Sequence, residues 1–161
     1  MFIKIIGFFV IVGTCTAVGI EISKELSGRV KVLLEWIGAV KLMQCNIAQF
    51  KTPLDGIYKE IGKNGGTLRP FFENIQSGDT KEWKREISRM KYLSKKDILV
   101  LNKLGCGLGE KLADEQISFL DYIKNLLEEN LKEAKQTEKN DGKMYRSLSF
   151  FAGIGLAVLL V

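Results

Sequence analysis

The chain has 161 residues, about the length of one domain, with 46% hydrophobic residues and a formal net charge of +5. It has no histidine, and its three cysteines, Cys15, Cys45 and Cys106, form no CxxC pair, which disfavours zinc, redox chemistry and a disulfide framework. Only two prolines and few alternating β-branched runs favour an all-α protein.

An uncharged apolar run extends from Ile5 to Ile20. Together with the preceding residues it approaches the roughly 20 residues that a membrane-spanning helix needs. We predict an N-terminal transmembrane helix over residues 1–22. A cleaved export signal, or a lipid anchor on Cys15, stays open as the alternative, although only Lys4 precedes the run and signal peptides begin with more positive charge.

An amphipathic helical pattern follows from Ser23 to Phe50. Charged side chains, among them Glu25, Arg29 and Glu35, cover its outer side and are candidate contacts for a partner protein. Since only Gly28 weakens the pattern, the helix is expected to continue from the first span. Its apolar residues recur at steps of three and four: Leu26, Val30, Leu33, Leu34, Ile37, Val40, Ile47 and Phe50.

Four more helices are predicted, three of them from capping patterns. Thr52-Pro53-Leu54 is typical of a helix start, because threonine caps and proline tolerates the first turn. Gly62 and the glycines after it are expected to end that helix, and a short helix follows around residues 69–76. Capping boxes at Asp79-x-x-Glu82 and Ser94-x-x-Asp97 open the next two, and Trp83 is expected to be a core residue.

Glycines 105, 107 and 109 stand between two long apolar-patterned segments. Each costs a helix interior about 1 kcal/mol relative to alanine, so the helix breaks here or a neighbour packs closely enough to recover the loss. We predict a tight helix-to-helix junction with close backbone approach, and we place Gly105 and Gly109 on one helical face. The junction residues are Leu104, Gly105, Leu108, Gly109 and Gln116.

A long helix is predicted from about Asp114 to Asp141-Gly142, and an apolar run follows from Leu148 to Val161. We interpret this run as a C-terminal transmembrane helix over residues 147–161, with a buried core helix as the alternative. Most positive charges near the two spans lie between them, so the helical domain over residues 23–146 is expected in the cytoplasm. The predicted architecture is a membrane-anchored bundle of about six helices.

Patterns that would carry chemistry were not found. The glycine segment lacks the phosphate-binding GxxxxGK[ST] pattern, and acids interleaved with bases along helices are typical of a solvated surface. We therefore expect no enzyme activity, no cofactor, no metal, no small-molecule substrate and no nucleic acid partner.

Several of these residues together resemble the stage III sporulation protein AB family. They are Arg29, Thr52-Pro53-Leu54, the paired Leu104-Gly105 and Leu108-Gly109, and Gln116. The sequence departs from the expected pattern at Leu112, where an aspartate is anticipated. The resemblance covers essentially the whole chain, with an anchor at each end.

The resemblance implies a role beyond what the residues show. The family acts in the channel that links mother cell and forespore, and it is similar to the inner-membrane platform of type II secretion and type IV pilus machines. It implies a non-enzymatic scaffold in the mother-cell membrane facing the forespore. The implied partners are the cytoplasmic ATPase, stage III sporulation protein AA, and other stage III sporulation membrane proteins.

Overall fold

The computed structural model describes residues 2–50, 53–63, 66–75, 79–109 and 112–160; side chains at 2–6, 8, 9, 11, 50, 146 and 156–160 fall outside that description. Within these ranges the chain is helical and has no strand, which confirms the all-α prediction. The helices are α1 (Phe2–Cys45), α2 (Leu54–Lys63), α3 (Arg69–Asn74), α4 (Thr80–Arg89), α5 (Lys95–Gly107) and α6 (Ala113–Leu160), and a π-helical segment, Asn46–Phe50, follows α1.

Both helix starts predicted from capping boxes are capped, with the reciprocal capping box complete at α5 and the Asp79 side chain supplying the cap at α4. The Asp79 carboxylate accepts hydrogen bonds from the backbone N–H groups of Lys81 and Glu82, at 2.9 Å each, at the start of α4. At the start of α5, the Ser94 hydroxyl accepts from the Asp97 N–H and the Asp97 carboxylate accepts from the Ser94 N–H. These bonds satisfy N–H groups that a helix terminus otherwise leaves without partners.

The predicted end of the second helix is confirmed, since α2 ends at Lys63, but Gly28 and Gly142 do not interrupt their helices. Gly28 lies inside α1, and Gly62 lies inside α2, where a Cβ would sit 3.8 Å from the Phe72 side chain. The predicted helix end near Asp141-Gly142 is wrong, because α6 runs on to Leu160. Gly142 is buried and lies near Ser23, so packing offsets its low helix propensity.

The chain divides into two compact units. The terminal unit comprises residues 1–28 and 133–161, and the central unit comprises residues 29–132. Each has its own interior, and the two interiors differ in composition.

The central unit is built around five aromatic side chains, which we call the aromatic core: Trp36, Tyr58, Phe71, Phe72 and Trp83. Their ring centroids lie 4.9 to 6.3 Å apart, mostly in edge-on or tilted arrangements, which aromatic pairs prefer. Aliphatic side chains from α5 and α6 complete the interior, including Leu101, Leu104, Leu120, Ile123 and Leu127, which are fully buried.

Burial changes the chemistry of one member of the aromatic core. Loss of solvent, with a smaller contribution from the negative charge of Asp55, raises the pKa of the Tyr58 hydroxyl to about 12. Tyr58 is therefore neutral at physiological pH and acts as a packing residue. The predicted core role of Trp83 is confirmed, since its side chain is 3% exposed.

The terminal unit packs α1 against α6 through small residues. A Cβ at Gly19 would lie 2.7 Å from the Cβ of Ser149 and 3.0 Å from the carbonyl oxygen of Tyr145. A Cβ at Gly153 would lie 3.0 Å from the Cβ of Cys15. Larger side chains at either glycine would push the two helices apart.

Large apolar side chains lie on the outside of the same unit. Among the described side chains, the exposed ones are Val10, Val18, Ile20, Met144, Leu148, Phe150 and Phe151.

No helix in the described part of the chain combines the length and the apolar character that crossing a membrane requires. The two predicted transmembrane helices are therefore not supported by the structure. The description leaves out residues 1 and 161 and the side chains of residues 2–6 and 156–160, which belong to the two predicted spans.

Candidate functional site

The glycine segment forms the end of α5 and the start of the connection to α6. Gly105 lies within α5 with its backbone against the Trp83 indole, where a Cβ would come within 2.3 Å of the ring carbon Cδ1. The indole Nε1 donates a 2.9 Å hydrogen bond to the Leu101 carbonyl, one turn earlier in α5. The close approach at Gly105 thus involves a side chain on α4, whereas the sequence predicted another backbone.

Gly109 lies beyond the end of α5 and differs from Gly105 in backbone conformation. The helix ends at Gly107, and Gly109 has φ +85°, the left-handed region that glycine adopts without strain. The two glycines therefore do not share a helical face, contrary to the prediction. A Cβ at Gly109 would also meet the Leu54 side chain at 3.0 Å.

Gln116 connects the start of α6 back to this turn. Its side-chain oxygen Oε1 accepts a 3.3 Å hydrogen bond from the Gly109 backbone N–H. The residue is 4% exposed, and its Nε2 has no hydrogen-bond partner among the described residues. Leu104 and Leu108 are buried beside the same turn, so the five predicted junction residues lie in one region.

The other predicted residues are distributed around the central unit. The proposed helix start is placed only in part, since Thr52 lies outside the described residues; α2 begins at Leu54, and the Pro53 carbonyl accepts from the Gly56 N–H at 2.9 Å. Exposed Leu112 immediately precedes α6, and Asp114 lies in the first turn of that helix.

Of the three candidate partner contacts, two make contacts within the chain. The Glu35 carboxylate accepts from the Thr67 N–H at 2.6 Å and from its hydroxyl at 3.1 Å, which fastens the connection between α2 and α3 to α1. Glu25 is exposed on α1 in the terminal unit. Arg29 is engaged in the network described next.

An ion-pair network that the sequence did not predict ties three helices together. The Arg29 guanidinium on α1 donates to both oxygens of the Asp97 carboxylate on α5, at 2.8 and 3.2 Å. The Asn130 side-chain amide on α6 donates to the same carboxylate at 2.9 Å, and the Ser94 N–H completes a set of four donors. We call these residues the Asp97 network.

The network keeps a buried carboxylate ionised. Burial by itself would raise the pKa of Asp97, but hydrogen bonds from Arg29 and Ser94, together with the positive charge of Arg29, lower it below its usual 3.8. The side chain of Asp97 is fully buried, and that of Arg29 is 15% exposed. An arginine meeting a carboxylate with two hydrogen bonds fixes orientation as well as charge.

The chemistry open to this arrangement is structural. All four donors converge on Asp97, so its oxygens are committed to holding helices together. In the described part of the chain, no group of three or more His, Cys, Asp or Glu side chains is placed to bind a metal ion. Only the capping role of Asp97 could be predicted, because its pairing with Arg29 joins residues 68 positions apart.

Comparison with known proteins places this helical chain in a family. The sequence profile described as stage III sporulation protein AB matches residues 4–161. Stage III sporulation protein AB of Bacillus subtilis (strain 168) is 27% identical over 173 aligned positions, covering 99% of this chain and 99% of the relative. No solved structure gives a significant match. Since the profile match extends over nearly the full length, the chain belongs to the stage III sporulation protein AB family.

Proposed function

We propose that the chain is a non-enzymatic scaffold of the mother cell–forespore channel. In this role it lies at the mother-cell membrane facing the forespore, with its central unit in the cytoplasm. It docks a cytoplasmic ATPase, stage III sporulation protein AA, and other stage III sporulation membrane proteins. Membership of the stage III sporulation protein AB family supports the role in sporulation.

The composition of the terminal unit is the observation that carries the membrane part of the proposal. Its interior contains glycine and serine, whereas Val18 and Phe151 are 59% and 67% exposed. A water-facing helix pair normally places large apolar side chains inside, while helices in lipid pack through small residues. Exposed apolar surface of this kind marks contact with a membrane or another protein.

Hydroxyl groups in this unit bond to their own helices, as suits an apolar environment. The Thr16 hydroxyl donates to the Val12 carbonyl at 2.7 Å, and the Thr14 hydroxyl donates to the Val10 carbonyl at 2.9 Å. Each bond satisfies a polar group without water.

The state of Asp97 supports a scaffold over an enzyme. A catalytic carboxylate must reach a substrate, but the oxygens of Asp97 accept four hydrogen bonds and are shielded from solvent. Its physical effect is to hold α1, α5 and α6 in fixed positions.

The alternative, an exported module with a cleaved N-terminal signal, is weakened by one contact. Helix α1 continues through residues 15–17, where cleavage was considered, and Cys15 packs against Gly153 on α6. Cleavage there would remove the part of α1 that packs against α6 near Gly153.

Fractionation of sporulating cells tests the proposal. We expect the full-length chain to sediment with membranes and to resist extraction by alkaline carbonate, releasing only in detergent. A reporter inserted between Gly65 and Gly66 should report a cytoplasmic location. A full-length chain that is freely soluble without detergent, or an N-terminus that begins near Cys15, would contradict the proposal.

A further inference from the structure

The outward face of α5 concentrates the positive charge of the protein. Between Lys91 and Gly109 the sequence has four lysines and one acid, Asp97, which is a balance of +3 within a chain of net +5. The one acid is buried and paired with Arg29, so the surface of this segment carries the four lysines alone. This uneven distribution calls for a partner of opposite charge.

The lysines surround an exposed leucine. Successive residues of an α-helix are 100° apart, which puts Lys95, Leu99 and Lys103 within one arc and Lys96 at its edge. The opposite side of α5 is buried through Val100, Leu101 and Leu104. Leu99 is 64% exposed, so it is an apolar side chain in the middle of a charged face.

The preceding turn continues this face. Tyr92 is 43% exposed and has φ +69°, a left-handed conformation that is unusual for a residue other than glycine. Backbone strain of this kind clusters at binding and switch segments, and the partly exposed Tyr92 side chain is accessible to a partner. We call Lys91, Tyr92, Lys95, Lys96, Leu99 and Lys103 the α5 face.

Three of the four lysines on the α5 face have no ion-pair partner among the described residues. These are Lys91, Lys95 and Lys103. The acids on neighbouring α4 are already engaged, because Glu82 pairs with Arg85 and Glu86 pairs with Arg89.

We propose that the α5 face is a docking surface for an acidic protein surface with an apolar contact opposite Leu99. Complementary charge selects the partner and sets its orientation on the surface. A central apolar residue excludes water from the middle of the interface. A lipid surface fits less well, since the six residues offer only Leu99 and Tyr92 for insertion. The inference rests on the proposed docking function and names its surface.

Photo-crosslinking in sporulating cells tests the inference on the full-length chain. A benzoyl-phenylalanine in place of Leu99 is compared with one in place of Leu34, which is exposed on α1. We expect Leu99 to cross-link a partner protein at a segment rich in Asp and Glu. Reversing three charges with K91E, K95E and K103E should reduce that product at least about tenfold.

A matched reversal elsewhere controls for net charge. Lys59, Lys63 and Lys84 are also exposed lysines of the central unit, so K59E, K63E and K84E make the same change in charge and should leave the product unchanged. An equal loss in both triple variants would overturn the inference, as would a product that survives K91E, K95E and K103E.

The remaining outcomes separate this inference from the proposed function. A cross-link from Leu34 alone, or from Leu99 to a second copy of this chain, overturns the α5 face while docking stands. Absence of a protein product from Leu99, together with a cross-link from Leu99 to phospholipid that the triple reversal abolishes, replaces the protein partner by lipid. Absence of any product from both positions contradicts docking itself.

Discussion

At Gly105 the missing side chain is what lets the Trp83 indole lie directly against α5. The indole is enclosed by the aromatic core and held by its bond to the Leu101 carbonyl, so it has little room to retreat. A glycine that lowers helix propensity is therefore compensated by a buried aromatic contact.

Substituting this glycine should destabilise the protein even though alanine is the better helix former. For Gly105→Ala we expect a loss of about 1–3 kcal/mol in the free energy of unfolding, because the new Cβ overlaps a confined ring. Urea denaturation of the full-length chain, followed by circular dichroism, measures it. Gly38→Ala is the control: apart from the local backbone of α1, no atom lies within 4 Å of its Cβ position, so we expect a gain of about 0.5–1 kcal/mol.

Charge pairing at Asp97 predicts a different kind of loss. In Asp97→Asn the Arg29 guanidinium loses the buried carboxylate that accepts two of its hydrogen bonds, which should cost about 3–5 kcal/mol at neutral pH. Replacing both residues, with Arg29→Met and Asp97→Asn, should recover part of that loss. A double-mutant cycle of unfolding free energies measures the coupling, and purely additive effects would contradict it.

The same pair predicts how stability depends on pH. The folded-state pKa of Asp97 is lowered below its usual 3.8, so its contribution is complete above that pH and is lost as the pH falls toward the folded value. The stability difference between the wild type and Asp97→Asn should therefore shrink below about pH 4. A difference that is unchanged from pH 6 to pH 3 would show that the charge of Asp97 is not what stabilises the fold.

Among the helical elements, the connection from α5 to α6 depends most on backbone conformation. Gly109 turns the chain at φ +85°, Leu54 fills the space beside it, and Gln116 holds its N–H. These contacts join the end of α5 to the starts of α2 and α6, so this turn sets the directions of three helices.

This turn should accept asparagine but reject valine. A left-handed conformation costs about 1–2 kcal/mol for most residues and less for asparagine, and a branched Cβ would also press on Leu54. We expect Gly109→Val to misfold or to lose assembly and sporulation, whereas Gly109→Asn should retain both. Sporulation frequency and membrane-fraction abundance are the measurements, and full sporulation of Gly109→Val would contradict this view.

On the scale of the whole molecule, two units are held together internally by different forces. The central unit relies on aromatic and aliphatic burial and on the Asp97 network. The terminal unit relies on close contact of α1 with α6 at small residues. Both tryptophans, Trp36 and Trp83, lie in the central unit, so their fluorescence reports on that unit alone.

This division predicts a selective defect. Gly19→Leu should separate α1 from α6 in the terminal unit, since even a Cβ would overlap Ser149 and crowd the Tyr145 carbonyl. We expect faster amide hydrogen exchange in residues 133–155, with the tryptophan emission maximum unchanged. Gly13→Leu, at an exposed position with open space around it, is the control that should leave exchange unchanged.

Local sequence patterns were enough to predict the all-α class, the capped starts of α4 and α5, and most of the inward positions of the helices. One inward position is wrong, since Leu34, predicted in the apolar stripe of α1, is 48% exposed. The correctly predicted features depend on neighbours within four residues, such as Ser94 with Asp97, or on a 3.6-residue period that the chain displays directly. The three closely spaced glycines likewise predicted a junction between helices. Motifs spread along nearly the whole chain indicated the family.

Where the helices end and which residues meet depends on contacts between distant parts of the chain. Gly142 continues a helix because Ser23 lies beside it, Gly105 faces an indole, and Arg29 turns inward to Asp97. Each outcome depends on a partner distant in sequence, and local propensities of about 1 kcal/mol are smaller than the packing and charge terms that those partners supply.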